Sequence, residues 1–519
     1  MLFVQPFFLL VYLPAAVVAF YVARRLWGRT AGLAVIVATS AGFYLPFGAL
    51  PFTLLTVSLV ANLVIGASLA ENDALGAAQR RGLLTLGLAL DFANLATFKY
   101  LNQIVTLVSR HDQPLLAVAI PAGISFYTFH QAVFLVHAYN RQPEVAAFLR
   151  GAHGALSKLV RYGAFVAFFP QLVIGPITYM SEFGPQIERS RFGQLRLSNI
   201  QVGVTLAVVG LFKKIVIADW LATLADPLYR NISMGTHLSQ QQAAMAVLTY
   251  FFQLYFDFSG YSDIALGIAR LFGLRLPMNF DSPLRATGIV DFYRRWHMTL
   301  TRVIVVFVFT PLSLAGARFA YGHGYRGWRG RLFASWLPLL LNFEVIALWH
   351  AAKLTFLLFG LVHGLWYVLE TEVRSAKWYR RHRSKTSDGL RTAAGMVATF
   401  VPLSLTFALF RSGSLHDFAR LLSDLFTPVY VSPDAGYINR RIWAAVGAVA
   451  LIVYLAPNIY EILRRYRPAI PTFENRSVTL VPLRLNWRPN LVWGCFIALL
   501  AAIAIARLNV PSPFLYGGF

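Results

Sequence analysis

The chain has 519 residues, 57% hydrophobic and 13% charged, about half the charged share of an ordinary soluble domain. Its formal net charge is +24, but the basic residues fall in short runs between long apolar segments. That pattern argues against a nucleic-acid partner and for anionic lipid headgroups at a membrane surface. One cysteine, Cys495, rules out an internal disulfide and any cysteine-based zinc site. In its run LVWGCFIALL it is expected to be a small buried apolar side chain.

A membrane span takes about 20 mostly apolar residues. The first apolar run precedes its basic residues Arg24, Arg25 and Arg29. A secretory signal has the opposite order, so this run reads as the first span. Spans are expected near 3–23, 31–48, 52–70, 83–108, 117–138 and 159–177 in the first half. The second half adds 200–222, 241–272, 303–320, 333–350, 354–371, 393–411, 441–461 and 491–509. The expected fold is all-α, a polytopic transmembrane helical bundle forming one integral-membrane domain over 1–519. Pro176, Pro277 and Pro311 stand at or beside apolar runs. They predict re-entrant or broken segments around a central cavity, because broken backbone at membrane depth must be covered by protein or a wet cavity. The Lys/Arg asymmetry of the early connections places the N-terminus outside the cytoplasm. The basic run 374–391 and the cluster Arg464, Arg465 and Arg467 are expected on the cytoplasmic side. The connection 412–440 reads as a polar linker, and 462–490 as an interfacial loop.

The stretch from Phe251 to Arg302 carries the chemistry-bearing residues at highest density. Asp257 and Asp263 sit in an apolar helix, where a carboxylate is costly and usually faces a bundle interior or wet cavity. Six residues apart, they do not share a helix face and read as separate polar anchors, while Asp257 aligns with Tyr261. A Pro/Asn/Asp-rich break from Leu276 to Pro283 contains Asn279. Next come Asp291, Arg294, Arg295, Trp296 and His297. Asp291 precedes Arg294 and Arg295 in the favourable order for helical ion pairs, and Tyr293, His297 and Thr301 share a face if the segment is helical. Arg294 and Arg295 are candidates for holding a phosphate or carboxylate of a donor, or anchors at headgroup level with Trp296 in the aromatic belt. Trp349 and His350 end a later apolar segment. A histidine in a dry setting is held neutral, because desolvation disfavours its charged form. A neutral ring suits a general base acting on a hydroxyl, and equally an imidazole that only bonds across helices. His130 and His137 read as polar positions inside the bundle, and His363 as a wall of the His350 cavity. Lys213 and Lys214 read as a span terminus at the cytoplasmic interface, or as a contact for an acidic partner.

Taken together these segments resemble the membrane-bound O-acyltransferases of the bacterial branch that includes alginate O-acetyltransferase and the D-alanine transfer protein of teichoic acid. The resemblance rests on IPAGISFYTFHQAVFLVHAYNR (120–141), FVAFFPQLVIGPITYMSEFGPQI (165–187) and GLFKKIVIADWLA (210–222). YFDFSGYSDIALGIARLFGLRLPMNFDSP (255–283), DFYRRWHMTLT (291–301), LWHAAKLTFLLFGLVHG (348–364) and PFLYGGF (513–519) complete it. It implies an activated acyl group moved from a thioester to a hydroxyl at or across the membrane. His350 matches the family's catalytic histidine and His297 its second motif histidine. Arg294, Arg295, Trp296, Asp257, Tyr261, Asn279 and Trp349 are the expected substrate-binding residues. Three departures stand out. Asp291 replaces the usual Asn, Ala351 the usual Gly, and VIVVFVFTPLS (303–313) a stretch usually rich in Arg, Asp and Tyr.

The resulting expectation is O-acetylation of an exported polysaccharide or other envelope glycan, in the bacterial cytoplasmic membrane. No bound cofactor is expected. The donor would be acetyl-CoA or an acyl carrier protein thioester, and a separate extracytoplasmic acyltransferase of the SGNH type is the implied partner. A transporter or flippase would use intramembrane Asp, Lys and His differently, as a proton relay or ion path. A lipid or teichoic acid acceptor would keep the chemistry and change the substrate.

Overall fold

The computed structural model describes residues 3–109, 120–152, 154–377, 379, 388–427, 440–474, 485–508 and 515, with backbone alone for 102–109 and 388. Among the described residues every regular element is a helix, and one isolated bridge pairs Pro277 with Ile470. The protein is a polytopic helical bundle, with 7 helices long and apolar enough to cross a membrane.

The first of these, Phe8–Phe47, is not one rod. Within α1 (Leu13–Tyr44), Gly28 adopts φ +88°, a left-handed conformation open to glycine. Across this break the Tyr12 hydroxyl donates to the carbonyl of Thr39, 27 residues on. A continuous helix would hold such residues about 40 Å apart. The chain therefore doubles back, and the expected spans 3–23 and 31–48 are the two arms of a hairpin. Next come α2 (Ala49–Glu71), α3 (Ala77–Ser109) and α4 (Ile124–Tyr139). Of the expected span 117–138, residues 117–119 lie outside the described residues. The expected span 159–177 is corrected. A helix over Ala155–Val166 gives way to one turn at Phe169–Leu172 and then to irregular chain. Pro170 and Pro176 supply no backbone donor there, and the stretch is buried in protein, where broken backbone is tolerated.

The centre of the bundle is α5 (Leu197–Ser233) packed on α6 (Gln240–Leu271). Glycines bring them together. A Cβ on Gly210 would lie 2.5 Å from the Gly260 carbonyl oxygen, and one on Gly203 2.8 Å from that of Gly267. Backbone thus rests on backbone, the close approach that small residues permit between membrane helices. The expected span 241–272 is the helix α6, but α6 is not among the seven apolar spans. Its Gln253, Asp257, Ser259 and Asp263 are all buried. It is an interior helix, covered by α5, by α10 (Gly389–Arg411) and by the helix Leu415–Phe426, so its polar residues meet protein and not lipid.

Lys213 and Lys214 do not end a span. They lie in a π-helical stretch, Phe212–Ala218, inside the continuous α5. Their acidic partners belong to this chain: Lys213 Nζ is 2.6 Å from Asp263 Oδ2, and Lys214 Nζ is 2.6 Å from Asp257 Oδ1 and 2.7 Å from Asp219 Oδ1. Asp257 and Asp263 are separate anchors, as expected. Pro311 breaks nothing either. It stands in the first turn after the π-helical stretch Val305–Phe309 of α7 (Met298–Gly322), and a widened turn accommodates a missing donor. Cys495 is exposed, not buried, because Leu491–Ile505 lies at the periphery and turns most of its residues outward. The connection 412–440 contains the helix Leu415–Phe426, with Asp424 buried on the ring of His237 and the amide of Leu238. Residues 428–439, 475–484, 378 and 380–387, and the tail 513–519 apart from Leu515, lie outside the described residues.

Candidate active site

Two chain ends meet at the site. The helix α8 (Gly327–His350) stops at His350, because Ala351 is extended (φ −163°, ψ 149°). Any residue adopts that backbone, so the glycine usual in the family is not required there. The chain then returns as α9 (Leu354–Ser375), packed on α8. Close contact is possible at Gly360, where a Cβ would lie 2.9 Å from the Phe343 carbonyl oxygen. His350 is buried with its ring against Trp349 (4.7 Å between centroids) and Phe410 (5.1 Å).

His297 arrives differently from expectation. No helix runs through it. The turn Ile289–Tyr293 ends before Arg294, and His297 takes φ +42° as the residue that caps α7. That conformation is uncommon for a residue with a side chain, and Asn279 holds it. The Asn279 carbonyl oxygen accepts from the Met298 amide at 3.0 Å. Its side-chain Oδ1 accepts from the Thr299 amide at 3.2 Å, from Thr299 Oγ1 at 3.0 Å and from His297 Nδ1 at 3.1 Å. A backbone amide can only donate, so the Thr299 amide fixes which end of the Asn279 amide faces the ring. His297 Nδ1 must then carry the hydrogen, and Nε2 is the accepting nitrogen. Phe258 closes one side, its ring 4.8 Å away and nearly perpendicular.

Tyr293, Thr301 and both histidines line one cavity of about 30 Å³ together with Trp296 and Phe407. That is room for roughly one water-sized group. The Trp349 indole borders both imidazoles, at 4.7 Å from His350 and 6.2 Å from His297 between centroids. Behind Tyr293, the Tyr293 hydroxyl is 2.6 Å from His363 Nδ1, and His363 Nε2 is 2.7 Å from Thr406 Oγ1. Thr406 Oγ1 donates to the Leu403 carbonyl, so it accepts from His363, and His363 accepts from Tyr293. His363 supports the cavity from the second row.

The other expected site residues are placed apart from the cavity. Arg295 is buried and engaged by Asp291 (2.8 Å) and Asp281 (3.7 Å). Arg294 is exposed, with Nη2 3.4 Å from the Glu474 carbonyl. Asp257 belongs to the Lys214 pair and accepts from the amide of Leu515 at 3.3 Å. Tyr261 stacks on Phe3 at 4.9 Å. His130 donates from Nδ1 to the Phe126 carbonyl and accepts at Nε2 from the Thr178 amide, which makes it the bundle histidine the sequence suggested.

Sequence reasoning missed two buried groups on α3. Asp91 accepts from Asn62 Nδ2 at 2.7 Å, beside Gln131 and Ser58. Lys99 places its ammonium 4.9 Å from the Trp349 ring centre. The signal was present, since each is an ionisable residue inside the expected span 83–108. A second and larger cavity, about 530 Å³, opens between α5 and Leu491–Ile505 and holds neither motif histidine. No group of three or more His, Cys, Asp or Glu able to hold a metal occurs among the described residues.

Residues 102–400 match the model of the MBOAT, membrane-bound O-acyltransferase family. The chain is 32% identical over 451 residues to the peptidoglycan O-acetyltransferase of Helicobacter pylori, covering 82% of this chain and 80% of that protein. It is 30% identical over 451 residues to a Pseudomonas putida protein named "Probable alginate O-acetylase AlgI", covering 84% of each. To the teichoic acid D-alanyltransferase of Streptococcus thermophilus it is 26% identical over 308 residues, covering 57% of this chain and 69% of that protein.

Proposed function

Because the chain belongs to the membrane-bound O-acyltransferase family and is an O-acyltransferase, we propose that it moves an acetyl group from a cytoplasmic thioester toward a hydroxyl of a cell-envelope glycan, with His350 as general base. The observation that carries the reading is the shared cavity: two buried imidazoles from distant parts of the chain border one indole and one water-sized space. A neutral His350 takes the proton of the attacking hydroxyl, and His297, held by Asn279, borders the same cavity. The cavity is too small for an acyl group and a sugar together, so side chains such as Phe410 must move aside when substrates bind.

An acetyl group is favoured over an aminoacyl group because the two relatives with the higher identity and coverage are named for O-acetyl transfer. The donor is acetyl-CoA or an acyl carrier protein thioester. A separate extracytoplasmic SGNH-type acyltransferase is the partner that delivers the group, and the cytoplasmic (inner) membrane is the location. The test is chemical. Esters released by mild alkali from polysaccharide, peptidoglycan and teichoic acid fractions are compared between cells lacking the gene and cells carrying it. Acetate returning to one glycan fraction supports the reading. Unchanged esters in every fraction would sink it, and D-alanine returning in place of acetate would reassign the acyl group.

A further inference from the structure

The buried lysine on α3 has no place in the mechanism just given. Lys99 is 7% exposed, and among the described residues no carboxylate forms an ion pair with it. An isolated buried ammonium is costly, so its position needs a cause. Its Nζ lies 4.9 Å from the centre of the Trp349 ring, and that same ring touches His350 at 4.7 Å. The next residue secures the placement, since the Tyr100 hydroxyl donates to the Leu348 carbonyl at 3.0 Å. Helix α3 is thereby tied to the last turn of α8, and Lys99 and His350 are held against one indole. The face of an indole favours a cation, and it stabilises the ammonium in place without neutralising it. A net positive charge therefore stands beside the imidazole assigned as base, with no carboxylate ion-paired to it among the described residues.

Acyl transfer develops one negative charge that such a group would meet. The hydroxyl oxygen attacks the acyl carbon while its proton passes to His350. The carbonyl pair moves onto the acyl oxygen and makes an oxyanion. On collapse the carbonyl reforms and the C–S bond breaks. The sulfur leaves with that electron pair and takes the proton back from His350. We infer that Lys99 is a further catalytic residue of this site, its ammonium stabilising the oxyanion on the acyl carbon; the role rests on the reading of His350 as base. A fixed charge aimed at the developing oxyanion acts in the transition state and not in the ground state.

The test uses the full-length protein in cells lacking the native gene. Alkali-labile acyl content of the envelope is measured over time, normalised to membrane abundance, alongside the heat-unfolding midpoint of the purified protein. Lys99→Met is expected to lower the initial rate of acylation by about 10²–10³-fold, the usual effect of losing one oxyanion donor, with the unfolding midpoint held. Lys99→Arg, which keeps the charge, is expected to restore at least part of the rate, and Lys99→Gln is not. A Lys99→Met rate close to wild type overturns the inference. So do Lys99→Arg and Lys99→Gln that are equally impaired with a lowered midpoint, because the lysine would then only brace the helix end. If Lys99→Met is lost from the membrane, the Arg-against-Gln comparison decides by the same criterion. His350→Gln in the same assay separates the two claims. An active His350→Gln removes the base reading, whereas an inactive His350→Gln beside an active Lys99→Met removes only the role of Lys99.

Discussion

The bundle contains two concentrations of polar side chains, and they are built in opposite ways. Between α5 and α6, Lys213 and Lys214 meet Asp263, Asp257 and Asp219 at 2.6–2.7 Å, and Tyr460 adds its hydroxyl to Asp263. Each charge there faces its opposite. Around Trp349, two imidazoles line an open space, and the Lys99 ammonium stands over the indole with no carboxylate ion-paired to it among the described residues. Position inside a membrane protein does not distinguish a structural polar group from a reactive one. Charge balance and access to a cavity do. The first cluster holds helices in register; the second sets two imidazoles on an open space.

The sharpest way to break this contrast is His350→Gln, which keeps polarity and approximate size and removes the imidazole proposed as base. Acyl transfer should fall by about 10²–10⁴-fold, the usual share of general acid–base catalysis, with membrane abundance unchanged. Envelope ester content per unit of protein is the measurement, and near wild-type ester content would make His350 structural. Next in size is Asn279→Ala. It removes the acceptor that orients His297 and fixes its tautomer, and a misplaced ring costs on the order of 10²-fold. Asn279→Asp still accepts from Thr299 and from His297 Nδ1, so it should recover part of the rate. Equal loss in both, tracking a lowered unfolding midpoint, would reduce Asn279 to a packing residue.

The Lys–Asp cluster should behave in the reverse sense. Lys213→Met leaves Asp263 buried without its cation, and breaking one partner of a buried pair costs about 3–5 kcal/mol. The unfolding midpoint should fall while acyl transfer per folded molecule stays the same. Lys213→Met combined with Asp263→Leu should regain much of that loss, because the stranded charge is gone too. Loss of activity in the double variant at a normal midpoint would bring this cluster into the chemistry after all. The smallest effect expected is from Ala351→Gly. The backbone there is extended, so glycine adds only freedom to the unfolded chain, about 0.4–1 kcal/mol. A slight fall in the midpoint with unchanged transfer would be read from the same two assays.

Much of this was legible in the chain itself. Long apolar runs can only be satisfied in lipid by helices, so the all-helical membrane bundle follows from composition and spacing. His350 and His297 were found because each closes a short, distinctive run of residues, Leu348-Trp349-His350 and Arg295-Trp296-His297. The reading failed where a local pattern was asked to report a distance across helices. Lys213 and Lys214 looked like a span end because two adjacent lysines are costly in lipid. What reverses that is the approach of α5 to α6 over Gly203, Gly210, Gly260 and Gly267, which delivers two aspartates and shuts lipid out. Tyr293, His297 and Thr301 do meet at one cavity, but through a left-handed turn at His297 and not by helical spacing.

The sequence by itself determined the solvent, the helical class and the two histidines, since hydropathy and short motifs are local properties carried along the chain. Tertiary structure alone decided which charges cancel and which side chains line a cavity. Lys99 and His350 are separated by about half of the chain in sequence, and only the docking of α3 on the end of α8, through Tyr100 and Leu348, sets both against the Trp349 ring. Electrostatic interaction depends on separation in space and on the dielectric between the groups, and neither quantity is written in the order of the residues.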